Sequence, residues 1–306
     1  MRVTRLSHAV GAEISGVDLA APLDPQTRSA ILAAWAEHRV LLFRAAELTL
    51  AQQVAFSREF GELELHPLVS LRHPQQPEIF EVTNRMVDGR PSESAEVGRV
   101  WHSDGAYTVR PPTGSLLHCQ MIPSAGGSTW FNNMTMAYDA LSPALQHMLD
   151  PLEVVNDLFD RGHVTTFVAK RDTNQVAADR KAVPAVVQPM VRVHPVTGRR
   201  ALYLNPAVTR GILGLSSEES EGLLRFLFQH CVKPEFVYCH RWQVHDLVMW
   251  DNRCAMHLAP ADYDPSETRQ MFRTTLAGEL HGRYLHDEPA IAQSPAATLE
   301  SGSHGL

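Results

Sequence analysis

Residues 246–276 read Asp246-Leu-Val-Met-Trp250-Asp-Asn-Arg-Cys-Ala255-Met-His257-Leu-Ala-Pro260-Ala-Asp-Tyr-Asp-Pro265-Ser-Glu-Thr-Arg269-Gln-Met-Phe-Arg273-Thr-Thr-Leu276. Three short runs, Asp246 to Trp250, Ala255 to Leu258 and Arg269 to Leu276, are set apart by Asn, Asp, Pro and Ser, which predicts strands joined by turns. The same texture extends upstream through Glu78 to Thr83, Gly114 to Met121, Ser128 to Asn132, Val186 to Val193, Ala201 to Leu204 and Glu235 to His240. Short strands at such spacing indicate a sandwich or barrel rather than a parallel α/β sheet, so the fold class is mainly β with flanking helices.

The helices announce themselves by their caps. Asp24-Pro25 precedes the apolar Ile31, Leu32 and Trp35, with a buried run from Val40 to Phe43 following. Thr49 opens a second helix through Phe60, stopped by Gly61. Ser142-Pro143 opens a third, and Ser216 or Ser217 a fourth through Cys231, with Leu223, Leu224, Leu227 and Phe228 as its stripe. Residues 157–184 lack a clear period and are expected to be an insertion and lid. After about Arg283 the chain drifts into Ser, Gly, Ala and Pro, so a single domain over 1–286 with a flexible tail at 287–306 is expected.

The 306 residues carry 27 basic and 34 acidic side chains, net charge -7, which supplies no electrostatic footprint for nucleic acid or an anionic membrane. No apolar run approaches the 18 residues of a membrane span, and the amino terminus has no signal-peptide core. Cys119, Cys231, Cys239 and Cys254 form no C-x-x-C pair, which points to reduced thiols and a cytoplasmic location. Sixteen histidines invite a metal or proton-transfer hypothesis.

Among them, His102 and Asp104 stand two apart, on one side of an extended segment. That spacing alone is weak. Chance predicts about two H-x-[DE] matches in a chain of this composition, and the chain contains two, the other being His286-Asp287-Glu288. A second element raises its value: His257 lies between small residues on one face of a short apolar strand, where a core histidine bonded to a carbonyl is the competing reading. The third is Arg269-Gln-Met-Phe-Arg273-Thr-Thr, which places two guanidiniums on one strand face, toward either water or an anion-binding cavity. Two histidines and a carboxylate on one face of a metal leave positions open, as in non-heme Fe(II) oxygenases.

In order along the chain, Gly11-Ala-Glu-Ile-Ser-Gly-Val-Asp-Leu, Phe60-Gly61-Glu-Leu-Glu-Leu-His66-Pro67, Trp101-His102-Ser-Asp104, Gly126-Gly127-Ser-Thr129, Trp250-Asp-Asn-Arg253, His257 and Arg269-x-Met-x-Arg273 resemble the taurine and 2,4-dichlorophenoxyacetate dioxygenase family. The motifs are individually short; their joint order makes the match specific. The resemblance implies a double-stranded β-helix, or jelly roll, with His102, Asp104 and His257 holding Fe(II) and with 2-oxoglutarate and O2 as cosubstrates. It implies Thr129 and Arg269 at the distal carboxylate of 2-oxoglutarate. Arg273 and His66 fall at the substrate's anionic group, and Tyr107, Val69 and Tyr203 near pocket-lining positions. It implies an oxidoreductase acting on a small anionic organic substrate, a homo-oligomer (dimer or tetramer), without nucleic acid or membrane as partner.

The chain also departs from the taurine-cleaving pattern. Gly98 stands where those members place an asparagine, Val69 where an aromatic is expected, and Gly105 follows the metal carboxylate. Smaller, less polar residues point to a roomier pocket, suited to a sulfonate bulkier than taurine, a sulfate ester or an aryloxyalkanoate oxidised next to its heteroatom. Two other classes stay open: a divalent-metal hydrolase on the same three ligands, which would not need Arg269 and Thr129, and a non-catalytic jelly-roll binding protein, which would need no metal.

Overall fold

The computed structural model describes residues 1–66, 69–87, 90–92, 94–159, 181 and 183–287. Apart from its ends, the expected lid at 157–184 lies outside the described residues, as does the expected tail beyond Asp287.

The caps read from sequence form. Asp24 accepts from the amides of Gln26 and Thr27 ahead of the helix Pro25–His38. Thr49 and Gln52 make a reciprocal capping box on Leu50–Arg58, and Ser216 and Glu219 make another on Ser217–Cys231. The second helix stops at Arg58, two residues short of the expected end.

Eight strands form the main sheet, in the order Arg2–Arg5, Ala12–Ser15, Val40–Phe43, Leu247–Asp251, Gly114–Met121, Gln270–Leu276, Gln76–Thr83 and Arg72–His73. Every neighbouring pair is antiparallel except Ala12–Ser15 with Val40–Phe43. Strand alternation sends Leu41, Phe43, Leu116, Leu247, Met249 and Leu276 to one face, against Ile31, Trp35 and Phe56 of the first two helices. It sends Val40, Leu42, Leu117, Val248, Trp250 and Met271 to the other, against Phe131 and Trp242. Phe131 belongs to a three-stranded sheet, Val237–His240, Thr129–Asn132 and His257–Leu258, that covers this second face. Both faces of the sheet's central strands are therefore buried, and the candidate chemistry sits between the two sheets.

Some expectations need correction. The run Val186 to Val193 is two strands, Val186–Pro189 and Val191–Val193, in different sheets; Pro189 brings no amide hydrogen with which to continue a ladder. Ala255 to Leu258 contracts to His257–Leu258, and Glu235 to His240 begins with a single 3-10 turn before Val237. The structure adds the strands Arg2–Arg5, Glu153–Asn156 and Thr209–Ile212 and the helix Met134–Asp139. No helix among the described residues is long and apolar enough to cross a membrane.

Candidate active site

The segment of His102 runs antiparallel to that of His257: the amide of each donates to the carbonyl of the other, at 3.0 and 2.7 Å. This two-way bridge brings the imidazoles to a centroid separation of 4.1 Å. Ser103 turns the opposite way and donates to the carbonyl of Ala255, leaving Asp104 on the side of His102, with Oδ1 3.8 Å from His102 Nε2. One ligand atom from each of His102, Asp104 and His257 falls within 4.8 Å of the others.

The protonation pattern suits a metal. His102 Nδ1 lies 2.8 Å from the carbonyl of Val100, which requires its proton there and leaves a lone pair on Nε2. Burial keeps both imidazoles neutral, pushing the pKa of His102 down and that of His257 far down. Burial would raise the Asp104 carboxyl, but Arg273, His257, His102 and the Ser115 hydroxyl outweigh it and hold the group ionised. His257 Nδ1 is buried with no hydrogen-bond partner among the described residues. Two neutral nitrogens and one carboxylate, without a thiolate, fit Fe(II).

A second cluster of ligand-type residues, His194, Asp251 and Cys254, is closed by its own hydrogen bonds. The amides of Val196 and Thr197 donate to His194 Nδ1, so the proton is on Nε2, facing Asp251 Oδ2 at 2.9 Å. Asp251 is also forked by Arg253 through Nε and Nη2. Neither ring nitrogen of His194 keeps a lone pair for a metal.

Arg269 is buried and donates to Thr129 Oγ1 at 3.3 Å and to the carbonyl of Gly127 at 3.1 Å. Trp242 Nε1 donates to the same Thr129 oxygen at 2.9 Å, so the hydroxyl has accepted twice and its proton is free for another acceptor. Burial depresses the Arg269 pKa, offset only in part by Tyr263, Cys119 and the more distant Asp262, and no carboxylate is ion-paired with it among the described residues. Gly126 and Gly127 make the approach possible: both have positive φ, and a Cβ at Gly126 would lie 1.9 Å from the carbonyl oxygen of Asp262.

Arg273 points into the same space between the sheets, its Nη1 2.7 Å from Asp104 Oδ1 and its guanidinium 4.6 Å above the ring of Phe80. His66 stacks on that ring at 4.6 Å, so Phe80 brings the two expected substrate contacts together. Tyr107 is half-buried, within electrostatic reach of Arg273, Asp104 and Glu64. Tyr203 lies deeper, packed with Ala106 and Val208 and carrying Arg192 over its ring at 5.0 Å. Val69 is 71% exposed and encloses nothing. Glu64, given no role in the sequence reading, donates its backbone N–H to the carbonyl of Thr275 at 2.9 Å; burial raises its carboxyl pKa, with Asp104 adding to the rise.

The two glycines expected to enlarge the pocket differ in what a side chain would meet. At Gly105, φ is +60° and a Cβ would meet Pro112 Cδ at 2.3 Å, so glycine there serves the turn and adds no room to a pocket. At Gly98 φ is +83°, which favours glycine for torsional reasons too, but a Cβ there would meet only ordinary contact, 3.4 Å from His102 Cε1, so its absence also leaves space beside that ring.

Known proteins resemble this chain over most of its length. An alpha-ketoglutarate-dependent 2,4-dichlorophenoxyacetate dioxygenase of Cupriavidus pinatubonensis is 36% identical over 253 residues, covering 78% of this chain and 84% of that one. An alpha-ketoglutarate-dependent sulfate ester dioxygenase of Pseudomonas putida is 33% identical over 279 residues, covering 89% and 87%. The crystal structure of AAD-2 in complex with Mn(II) and N-oxalylglycine superposes with a TM-score of 0.77 at 32% identity, covering 92% of this chain and 98% of that one. A family model matches residues 2–275, and the chain belongs to the taurine catabolism dioxygenase TauD, TfdA family.

Proposed function

We propose that this chain is an Fe(II)- and 2-oxoglutarate-dependent dioxygenase that hydroxylates a small organic anion, a sulfonate, sulfate ester or aryloxyalkanoate, at a carbon next to its heteroatom. One observation carries the reading: a three-ligand cluster of two neutral histidines and a carboxylate shares the space between the sheets with a buried guanidinium that has no carboxylate partner among the described residues. A hydrolase on the same ligands has no use for that cation. The relatives support the choice, since they are named for 2,4-dichlorophenoxyacetate and sulfate esters, and AAD-2 was crystallised with Mn(II) and N-oxalylglycine. The packing of an eight-stranded sheet on a three-stranded one supports a double-stranded β-helix in a single domain.

His102, Asp104 and His257 would hold the iron, and the chemistry it supplies is the oxidative decarboxylation of 2-oxoglutarate by O2, coupled to C–H hydroxylation. Arg269 and the free proton of Thr129 bind the distal carboxylate of 2-oxoglutarate, which relieves the cost of keeping that guanidinium in a dry site. Arg273 and His66, gathered on Phe80, grip the substrate's anion and fix which C–H bond is presented, a gain of orientation rather than of acid–base power. The hydroxylated carbon beside sulfur or oxygen then collapses to a carbonyl product with release of sulfite, sulfate or a phenol.

The test is succinate release with Fe(II), O2 and 2-oxoglutarate against sulfonates, sulfate esters, aryloxyalkanoates and, as the cationic control, betaines. Succinate stimulated by an anionic member supports the reading. Turnover of any member without 2-oxoglutarate would favour the hydrolase, and stimulation by betaines alone would remove the role given to Arg273.

A further inference from the structure

In Trp250-Asp251-Asn252, strand alternation sends Trp250 and Asn252 one way and Asp251 the other, toward His194 and Arg253. The Trp250 ring packs on His257 at a centroid separation of 4.7 Å, and its Nε1 donates to Asn252 Oδ1 at 2.9 Å. The same Asn252 oxygen accepts the amide of Asp104 at 3.2 Å, while Asn252 Nδ2 donates to Ser115 Oγ at 3.0 Å. Ser115 in turn stands 2.6 Å from Asp104 Oδ2. Ser115 and Asn252 are fully buried, so no solvent competes with these bonds.

The proton directions follow without ambiguity. Asn252 Oδ1 faces two N–H donors, which fixes the amide orientation; Ser115 Oγ accepts from Nδ2, so its single proton goes to Asp104. A hydroxyl donating to an ionised carboxylate is among the stronger hydrogen bonds available. It commits Oδ2, whereas Oδ1, the oxygen on the His102 side, accepts from Arg273 Nη1 at 2.7 Å and keeps a second lone pair for a metal.

We propose that Asn252 and Ser115 are positioning residues that select Oδ1 of Asp104 as the metal-binding oxygen and hold it at one angle, while Trp250 braces the His257 ring from the same strand. The proposal rests on reading His102, Asp104 and His257 as metal ligands, and it assigns the Trp-x-Asn pattern to ligand geometry rather than to substrate or cosubstrate contact. Outer partners of this kind typically change metal affinity about 10- to 100-fold when removed.

The test titrates Mn(II) into the metal-free full chain and records the visible spectrum of the Co(II)-loaded protein. Ser115→Ala deletes one hydroxyl. Asn252→Asp keeps the volume and turns the donor to Ser115 into an acceptor that contests its proton. The expected result is Mn(II) affinity weaker by about 10-fold or more in both, with an altered Co(II) spectrum as Oδ2 becomes able to bind. Wild-type affinity and spectrum in Ser115→Ala would overturn the proposal, as would a fall in metal-free stability with affinity intact. Asp104→Ala and His257→Ala run alongside separate the two levels: if neither weakens Mn(II) binding, the ligand assignment itself fails.

Discussion

Arg273 Nη1 lies 2.7 Å from Asp104 Oδ1, so the guanidinium assigned to the substrate touches a carboxylate assigned to the metal. An anion gripped by Arg273 is thereby held at the edge of the metal-binding cluster, and Phe80 beneath the guanidinium limits its swing. Arg273→Ala is expected to lower kcat/KM for the primary substrate by about 2 kcal/mol or more, roughly 30-fold, with apparent affinity for the cosubstrate 2-oxoglutarate moving little. Steady-state succinate release with each substrate varied in turn checks this. Equal rises in the two Michaelis constants would mean that the arginines do not divide the ligands between them.

Arg269 and Thr129 make the complementary prediction. Arg269→Ala removes a charge-assisted contact worth about 1.5–3 kcal/mol, so the Michaelis constant for the cosubstrate is expected to rise by about 10- to 100-fold while that for the primary substrate stays within about threefold. Arg269→Lys recovers only part of the loss, because an ammonium cannot present the planar fork that spans Thr129 and Gly127. Full recovery by lysine would show that charge alone suffices.

The parts of the site legible in the sequence are those whose geometry is local. His102 and Asp104 share a side because they lie two positions apart on an extended segment, and Arg269, Met271 and Arg273 share a face for the same reason, even across the register shift after Gln270. What the sequence hides depends on partners far along the chain: Asn252 reaches Asp104 across 148 positions, and Trp242 reaches Thr129 across 113. Gly105 misleads because a glycine can be selected by backbone torsion as readily as by pocket size, and only the fold shows Pro112 opposite its missing Cβ. The edge strand Arg2–Arg5 gives no signal since all four residues are exposed and carry no apolar alternation.

The His194, Asp251 and Cys254 cluster is expected to be structural. Burial would raise the Asp251 carboxyl, but Arg253 and His194 hold it down to about 2. Asp251→Ala strands two buried partners and is expected to cost about 3–5 kcal/mol of stability, read by denaturant unfolding. Cys254→Ala, by contrast, is expected to leave one Mn(II) bound per chain. A stoichiometry of two in the wild type falling to one in this variant would reassign the cluster as a metal site.

Acid should weaken the fold well above the range where carboxylates titrate. Burial lowers the His118 and His281 pKa values to about 4, against an ordinary 6.5. Between those limits the unfolded chain binds protons that the folded chain refuses, so stability rises with pH through this window. The stability these two groups contribute is fully present above about pH 6.5 and is lost as the pH falls toward 4. His118, buried in the main sheet, supplies a slope of up to about 1.4 kcal/mol per pH unit; His281, more open to water, supplies less. Scanning calorimetry at steps from neutral pH down to about 4.5 should show the melting temperature falling continuously, with a shallower fall in His118→Gln. A melting temperature flat across that window would mean that His118 takes up its proton in the folded state without cost.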